Sequence, residues 1–302
     1  MATAQFGRVI TAMITPFTED GAVDYESAVA LAKHLVAHGS EGLLVGGTTG
    51  EGATMTAEEK LKLYTLIVDA VGKRGEGKKV PVMGNIGTIS TADTIAFGNK
   101  AKETGIDCAL VIVPFYVKPN QEGMYRHFKA VAKGVDLPLV LYNVPGRTGV
   151  SIQPETIKRI VDECPNVVGI KDATGNWDQV TKEKALLPED FMIYSGDDAF
   201  TLPVLLAGGV GIISVSAHVI GDDMLAMVDA FEKGDLAKAR ELHLKMYEIN
   251  KGMFFTASPT PVKTATNLVG QPGGHFRLPM VEPTEAEKAK VRQMLENYGG
   301  LL

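Results

Sequence analysis

Short apolar runs alternate with amphipathic segments along most of the chain, and the two periods separate cleanly. Runs rich in β-branched residues predict strands at 9–15, 42–45, 80–84, 109–113, 138–142, 167–171, 191–195 and 211–215. Between them the spacing turns helical. Ala28, Leu31, Ala32, Leu35 and Val36 make one apolar stripe, with Asp24 as N-cap and Gly39 as the stop. Thr56 and Glu59 form a capping box for a helix reaching about residue 71. Further helices open at Ser90 or Thr91, ending near Gly105, and at Asn120, closing at Gly134; Pro154 takes a first helical position.

Eight β-then-α units imply a parallel sheet with right-handed crossovers. An open doubly wound sheet stays possible, but a closed (β/α)8 TIM barrel fits the count and the size of about 250 residues better. After about Gly221 the strands stop. Helices are predicted at 222–233, 235–253 and 284–297, the last with its own Thr/Glu capping box, and a turn at 264–269. The expected organisation is therefore an α/β barrel over residues 1–230 and a C-terminal helical appendage over 231–302, with no flexible linker between.

Composition narrows the function classes. At 302 residues, 45% hydrophobic and 22% charged, the chain can fill one large core. A net charge of −6 argues against a nucleic-acid partner. The only basic tracts, Lys73-Arg74 and Lys78-Lys79, flank glycines and read as a solvated loop. No apolar run approaches the roughly 20 residues of a membrane span, and Met1 to Arg8 lacks a signal-peptide pattern. Cys108 and Cys164 make no disulfide framework, so a cytoplasmic location is expected.

The chemistry centres on Val167-Val168-Gly169-Ile170-Lys171-Asp172. Strand alternation puts Val167, Gly169 and Lys171 on one face. A lysine held in low dielectric loses preference for its charged form and becomes a nucleophile at neutral pH. From this segment alone, a lysine that snorkels to the strand end or pairs with Asp172 is an equal alternative.

Other strand ends add candidates. Strand two runs into Gly46-Gly47-Thr48-Thr49-Gly50-Glu51-Gly52, whose N–H groups and hydroxyls suit an anion but lack the lysine of a nucleotide-binding loop. Strand four ends in Pro114-Phe115-Tyr116 and strand five in Tyr142-Asn143-Val144-Pro145-Gly146-Arg147. Tyr142 and Lys171 should then lie about 5 Å apart at the backbone on neighbouring strands. A phenol beside such an amine can shuttle protons, although a tyrosine there also reads as an amphipathic rim residue. Arg147 offers a planar fork for a carboxylate, or is an ordinary exposed arginine. Ser195-Gly196-Asp197-Asp198 suggests a carboxylate or capping role. His34 and His38 share a helix face without a third ligand, so no metal is expected. Ala207-Gly208-Gly209-Val210-Gly211 precedes strand eight, on the wrong face for a phosphate, and reads as a close helix-to-strand turn.

Assembled in order, Gly47-Thr48-Thr49-Gly50-Glu51, Tyr142-Asn143-Val144-Pro145-Gly146-Arg147-Thr148-Gly149 and Gly169-Ile170-Lys171-Asp172-Ala173 resemble the pyruvate-dependent class I aldolases, the family of dihydrodipicolinate synthase and N-acetylneuraminate lyase. The similarity runs from about Gly7 to the C-terminus. Arg147 favours the synthase branch, because the sialic acid lyases take a neutral sugar and lack this arginine. The resemblance implies condensation of pyruvate with L-aspartate 4-semialdehyde, on the route to diaminopimelate and lysine. It implies Lys171 as the Schiff-base nucleophile, Tyr142 as proton shuttle, and Thr48 linking it to a Tyr116 from the adjacent subunit. Thr49 would hold the pyruvate carboxylate, Arg147 that of the semialdehyde, and Gly196 and Ile213 would line the pocket. It further implies no metal or organic cofactor, and a homo-oligomer, a tight dimer that pairs into a homotetramer.

Departures from the family pattern bear on regulation. Lysine-inhibited members carry a tyrosine at the Phe115 position, histidines near Ala57 and Lys60, and an asparagine near Ile89; here only Asp93 keeps a carboxylate. Weak or absent inhibition by L-lysine is the expectation. The sequence leaves two alternatives: another pyruvate-forming aldolase acting on a 2-keto-3-deoxy sugar acid or sialic acid, and a non-catalytic barrel that binds a keto acid.

Overall fold

The computed structural model describes residues 3–75 and 77–302. Its centre is a closed barrel of eight parallel strands, each paired with the next in sequence and the eighth with the first. They are β1 (Val9–Ala12), β2 (Gly42–Val45), β3 (Val82–Asn85) and β4 (Cys108–Ile112), then β5 (Leu139–Asn143), β6 (Val167–Asp172), β7 (Met192–Ser195) and β8 (Gly211–Ser214). Helices α1 (Tyr25–Ala37), α2 (Ala57–Ala70), α3 (Thr91–Glu103) and α4 (Gln121–Gly134) follow the first four strands. A single turn, α5 (Pro145–Thr148), and α6 (Pro154–Glu163) follow β5, while α7 (Trp177–Leu186), α8 (Thr201–Leu206) and α9 (Ala217–Glu232) follow the last three. The chain closes with α10 (Leu236–Gly252), α11 (Thr260–Leu268) and α12 (Glu285–Tyr298). The expected boundary after residue 230 falls in the last turn of α9, which packs directly on α10.

The capping chemistry explains where helices begin. Asp24, Ser90 and Asn120 each accept a backbone N–H from the first turn, and Thr56 and Thr284 form reciprocal boxes with Glu59 and Glu287. Two apolar cores result. Ile10, Leu44, Met83, Leu110, Val140, Tyr142, Tyr194 and Ile213 fill the barrel interior. A larger core, including Val167, Ile170 and Ile193, lies between strands and helices. Each side chain so buried contributes about 1.5–3 kcal/mol. The turn before β8 packs as its glycines imply: a Cβ on Gly209 would sit 2.7 Å from Ile193 O.

Three expectations need correction. Val167 does not share the Lys171 face; it sits in the outer core, while Lys171 points inward beside Tyr142. The register slips here, with Leu139 paired to Val167 and Val140 to Gly169, so Val168 is an extra residue and the alternation resets. The turn expected at 264–269 is a longer helix, because Pro261 stands in its first turn, where no N–H partner is needed. Finally, α9 starts at Ala217, not 222, and is kinked at Ile220, where the Gly39 and Gly221 backbones meet too closely for any side chain.

The C-terminal helices reach the loop after β2 through a buried ion pair. Lys263 Nζ lies 2.7 Å from Glu51 Oε1, with side chains 0% and 2% exposed. The ammonium also donates to His275 O and stands over the rings of Phe17 and Phe276. Arg277 forks onto Glu59 at 2.8 and 2.7 Å and stacks on Phe17. Removing one partner of a desolvated pair leaves an uncompensated charge. Lys263→Met should therefore cost about 3–5 kcal/mol in urea unfolding, with Glu51→Gln in the same chain recovering part of it; a loss within experimental error would contradict this role.

Candidate active site

The site lies where the strands end on one rim of the barrel. Tyr142 and Lys171 are paired residues of β5 and β6, and Lys171 is paired in turn with Tyr194 of β7. All three are buried, Tyr142 at 6%, Lys171 at 4% and Tyr194 at 0% exposure. The Lys171 ammonium stands 4.5 Å from the centre of the Tyr142 ring, a cation–π arrangement that offsets part of its lost hydration. Burial dominates nonetheless: it lowers the amine to about 8, with the Asp198 carboxylate opposing and the Arg147 charge assisting. Burial raises the Tyr142 phenol, opposed by Arg147 and by the Thr48 side chain facing it.

Thr48, Tyr142 and Arg147 line one cavity of about 480 Å³, together with Asn85, Thr88 and Lys60. The loop bearing Thr48 is compact. Glu51 has a left-handed φ of 52°, Gly52 has no room for a Cβ against Gly46 O, and the Glu51 carboxylate is held by Lys263. Thr49 is buried in the same loop at 5% exposure. Gly196 follows β7 and donates its N–H to Asp172 O at 2.6 Å. Ile213 faces the barrel interior from β8. Arg147 sits on the exposed turn α5, one helical turn beyond Tyr142.

Tyr116 stands apart. It is 87% exposed with a left-handed φ of 64°, and Val117 beside it is 57% exposed. The acidic pair after β7 divides its work: Asp197 caps the following 3₁₀ turn, while Asp198 is 1% exposed and accepts from Ser214 Oγ and Val215 N–H. Burial raises Asp198 to about 6. The sequence marked the Asp197-Asp198 pair at the end of strand seven, but not which of the two acts on Lys171. His34 and His38 stack at 4.4 Å, with His38 on Asp222, and no cluster of three metal-ligating side chains occurs among the described residues.

Residues 5–298 match the model of the dihydrodipicolinate synthetase family. The 4-hydroxy-tetrahydrodipicolinate synthase of Heliobacterium modesticaldum is 48% identical over 98% of this chain and 96% of its own length. That of Symbiobacterium thermophilum is also 48% identical, over 98% and 99%. Among solved structures, the Cyanidioschyzon merolae enzyme with lysine bound superposes at a TM-score of 0.94 and 41% identity, covering 98% of this chain and 99% of that one. The Bacillus anthracis dihydrodipicolinate synthase gives 0.92 and 42% over the same shares. A strand-end lysine and tyrosine in register, a threonine loop beside them and this likeness along nearly the full length lead to one assignment: the chain belongs to the dihydrodipicolinate synthetase family.

Proposed function

We propose that the chain is a lyase that condenses pyruvate, carried as an enamine on Lys171, with L-aspartate 4-semialdehyde, as in diaminopimelate and lysine biosynthesis. The observation that carries the reading is a lysine amine buried to 4% exposure beside Tyr142 and lowered to about 8. Roughly one in ten such amines is neutral at pH 7, against fewer than one in a thousand for an unperturbed lysine.

The neutral amine attacks the ketone carbon of pyruvate, and loss of water gives the iminium. That cation is the electron sink for loss of a methyl proton, which leaves the enamine. The enamine carbon bonds to the aldehyde carbon, whose oxygen takes a proton. The substrate's own amine then adds to the iminium carbon, closing the ring and expelling Lys171. Tyr142 is the proton donor and acceptor in these steps; its raised pKa keeps the phenol protonated between transfers. Thr48 relays to Tyr116 of the partner subunit, an assignment supported by the exposure of Tyr116 in its own chain. The reading assigns the pyruvate carboxylate to Thr49 and its loop N–H groups, that of the semialdehyde to Arg147, and further contacts with the bound pyruvate to Gly196 and Ile213. Since the lysine supplies the electron sink, the reading assigns no metal or organic cofactor. It assigns the chemistry to residues 1–230, the bracing of the Thr48 loop to 231–302, and the assembly to a cytoplasmic homotetramer of tight dimers.

A coupled assay with both substrates tests this reading: turnover is expected, and its absence with folded protein would refute it. Arg147→Leu should raise KM for the semialdehyde by roughly 10- to 100-fold, the worth of one charge-assisted clamp, while leaving pyruvate binding nearly unchanged. An equal loss for both substrates would contradict the clamp. The pH profile carries a sign. Attack needs the neutral amine, so kcat/KM for pyruvate should rise with pH and level off above about 8; a profile flat from pH 6 to 9 would contradict a nucleophilic Lys171. The Cyanidioschyzon merolae relative was solved with lysine bound, whereas here Lys60 brings a like charge to the cavity wall. Activity should persist at millimolar L-lysine, and half-inhibition at sub-millimolar lysine would refute that expectation.

A further inference from the structure

Two buried carboxyls that the proposed chemistry does not use lie directly behind the strand ends that carry it. Asp172 follows Lys171, Asn143 follows Tyr142, and the two are paired across β5 and β6. Alternation turns them away from the barrel interior, toward Gln179 and Glu183 of α7. Asp172 is 1% exposed and Glu183 0%. Asp172 Oδ1 accepts from the Thr174 N–H at 2.9 Å and the Thr174 hydroxyl at 2.6 Å. Glu183 Oε1 accepts from Gln179 Nε2 at 2.8 Å. The same amide donates to Ile152 O at 3.1 Å, which also takes the Asn143 amide at 3.3 Å. The remaining oxygens, Asp172 Oδ2 and Glu183 Oε2, are buried and take no donor from any described residue.

Two carboxylates facing each other out of water would lose hydration and repel at once. One proton between them removes the repulsion and gives both orphan oxygens a partner. We propose that Asp172 and Glu183 share one proton, Glu183 Oε2 donating to Asp172 Oδ2, and that this bond positions the ends of β5 and β6, and with them Tyr142 and Lys171. Burial and the Asp172 charge push the Glu183 carboxyl well above its usual range, which makes Glu183 the member assigned the shared proton. Burial raises Asp172 as well, opposed by its bonds from Thr174 and by Glu183 and Asn143. The groups facing the pair are Thr174 from the loop after β6, Asn143 from β5 and Gln179 from α7, none of them titratable. Neither carboxyl touches a reacting atom; the pair is a positioning device. Its kinetic consequence rests on the reading of Lys171 as nucleophile, whereas the shared proton does not.

Linkage fixes the sign for stability. The folded pKa of Glu183 lies above the unfolded one, so its contribution is full below the ordinary glutamate range and is lost as pH rises through the folded value. Glu183→Gln removes that loss, because an amide keeps a donor toward Asp172 and an acceptor for Gln179 at every pH.

Infrared spectroscopy of the full chain at pH 7.5, with kinetics on Glu183→Gln and Glu183→Ala, tests the proposal. A protonated-carboxyl C=O band is expected in the unsubstituted protein and absent from Glu183→Gln; Asp198, at about 6, is mostly ionised there and adds little. Glu183→Gln should keep kcat within about 3-fold, while Glu183→Ala lowers it by roughly 100-fold with KM for pyruvate little changed, since misplacement of the reacting groups is the defect. Absence of the band, or its persistence in Glu183→Gln, overturns the shared proton. A Gln variant as damaged as the Ala variant, or an Ala variant with unaltered kcat, overturns the positioning role. The band decides the first point even in a protein that shows no condensation, so failure here and failure of the functional reading are distinguishable.

Discussion

The cost of keeping one amine out of water organises this molecule. Lys171 lies in the interior of the barrel at 4% exposure, in a medium where an isolated ammonium loses several kcal/mol of hydration. Three features share that cost. The Tyr142 ring faces the charge, the Asp198 carboxylate favours it from the end of β7, and part of the population sheds the proton. The balance matters. Were Asp198 a closer ion pair, the amine would stay charged and unreactive; with no carboxylate nearby, an iminium formed there would lack compensation. Burial raises Asp198 to about 6, so it stays mostly ionised at neutral pH and acts on Lys171 through its charge.

Strand alternation then divides the work. At the ends of β5 and β6, Tyr142 and Lys171 point into the barrel, and Asn143 and Asp172 point outward. The inner pair is assigned the chemistry, while the outer pair is tied into hydrogen bonds that reach the loop at 151–152 and helix α7. A similar brace acts on the threonine loop, where Glu51, in a left-handed conformation, is anchored by a lysine 212 positions along the chain. The helices after β8 therefore stand in direct contact with the loop that carries Thr48 and Thr49, which gives them a physical part in the shape of the cavity.

Much of this was legible in the sequence because it rests on local periodicity. Every expected strand overlaps an observed one, the caps at Asp24, Thr56, Ser90, Asn120 and Thr284 are where side-chain chemistry puts them, and the Tyr142–Lys171 neighbourhood follows from strand order. What escaped depends on partners distant in the chain. The bulge at Val168, which moves Val167 to the outer core, is set by pairing with β5 and leaves no mark on β6 alone. Glu183 carries no mark in the sequence; only the fold sets it against Asp172. Glu51 was marked only as part of the threonine loop, and nothing in the sequence tied it to Lys263, its buried partner. Tyr116 is the opposite case: the residue types marked it, but the single chain leaves it in solvent.

The central claim, that the desolvated amine of Lys171 forms the imine with pyruvate, is tested most directly by trapping. Borohydride reduction in the presence of pyruvate, followed by peptide mass spectrometry, should reveal one pyruvate-derived adduct per chain, on Lys171, and none in a folded Lys171→Ala variant. An adduct on another lysine, or no adduct at all, would contradict the account.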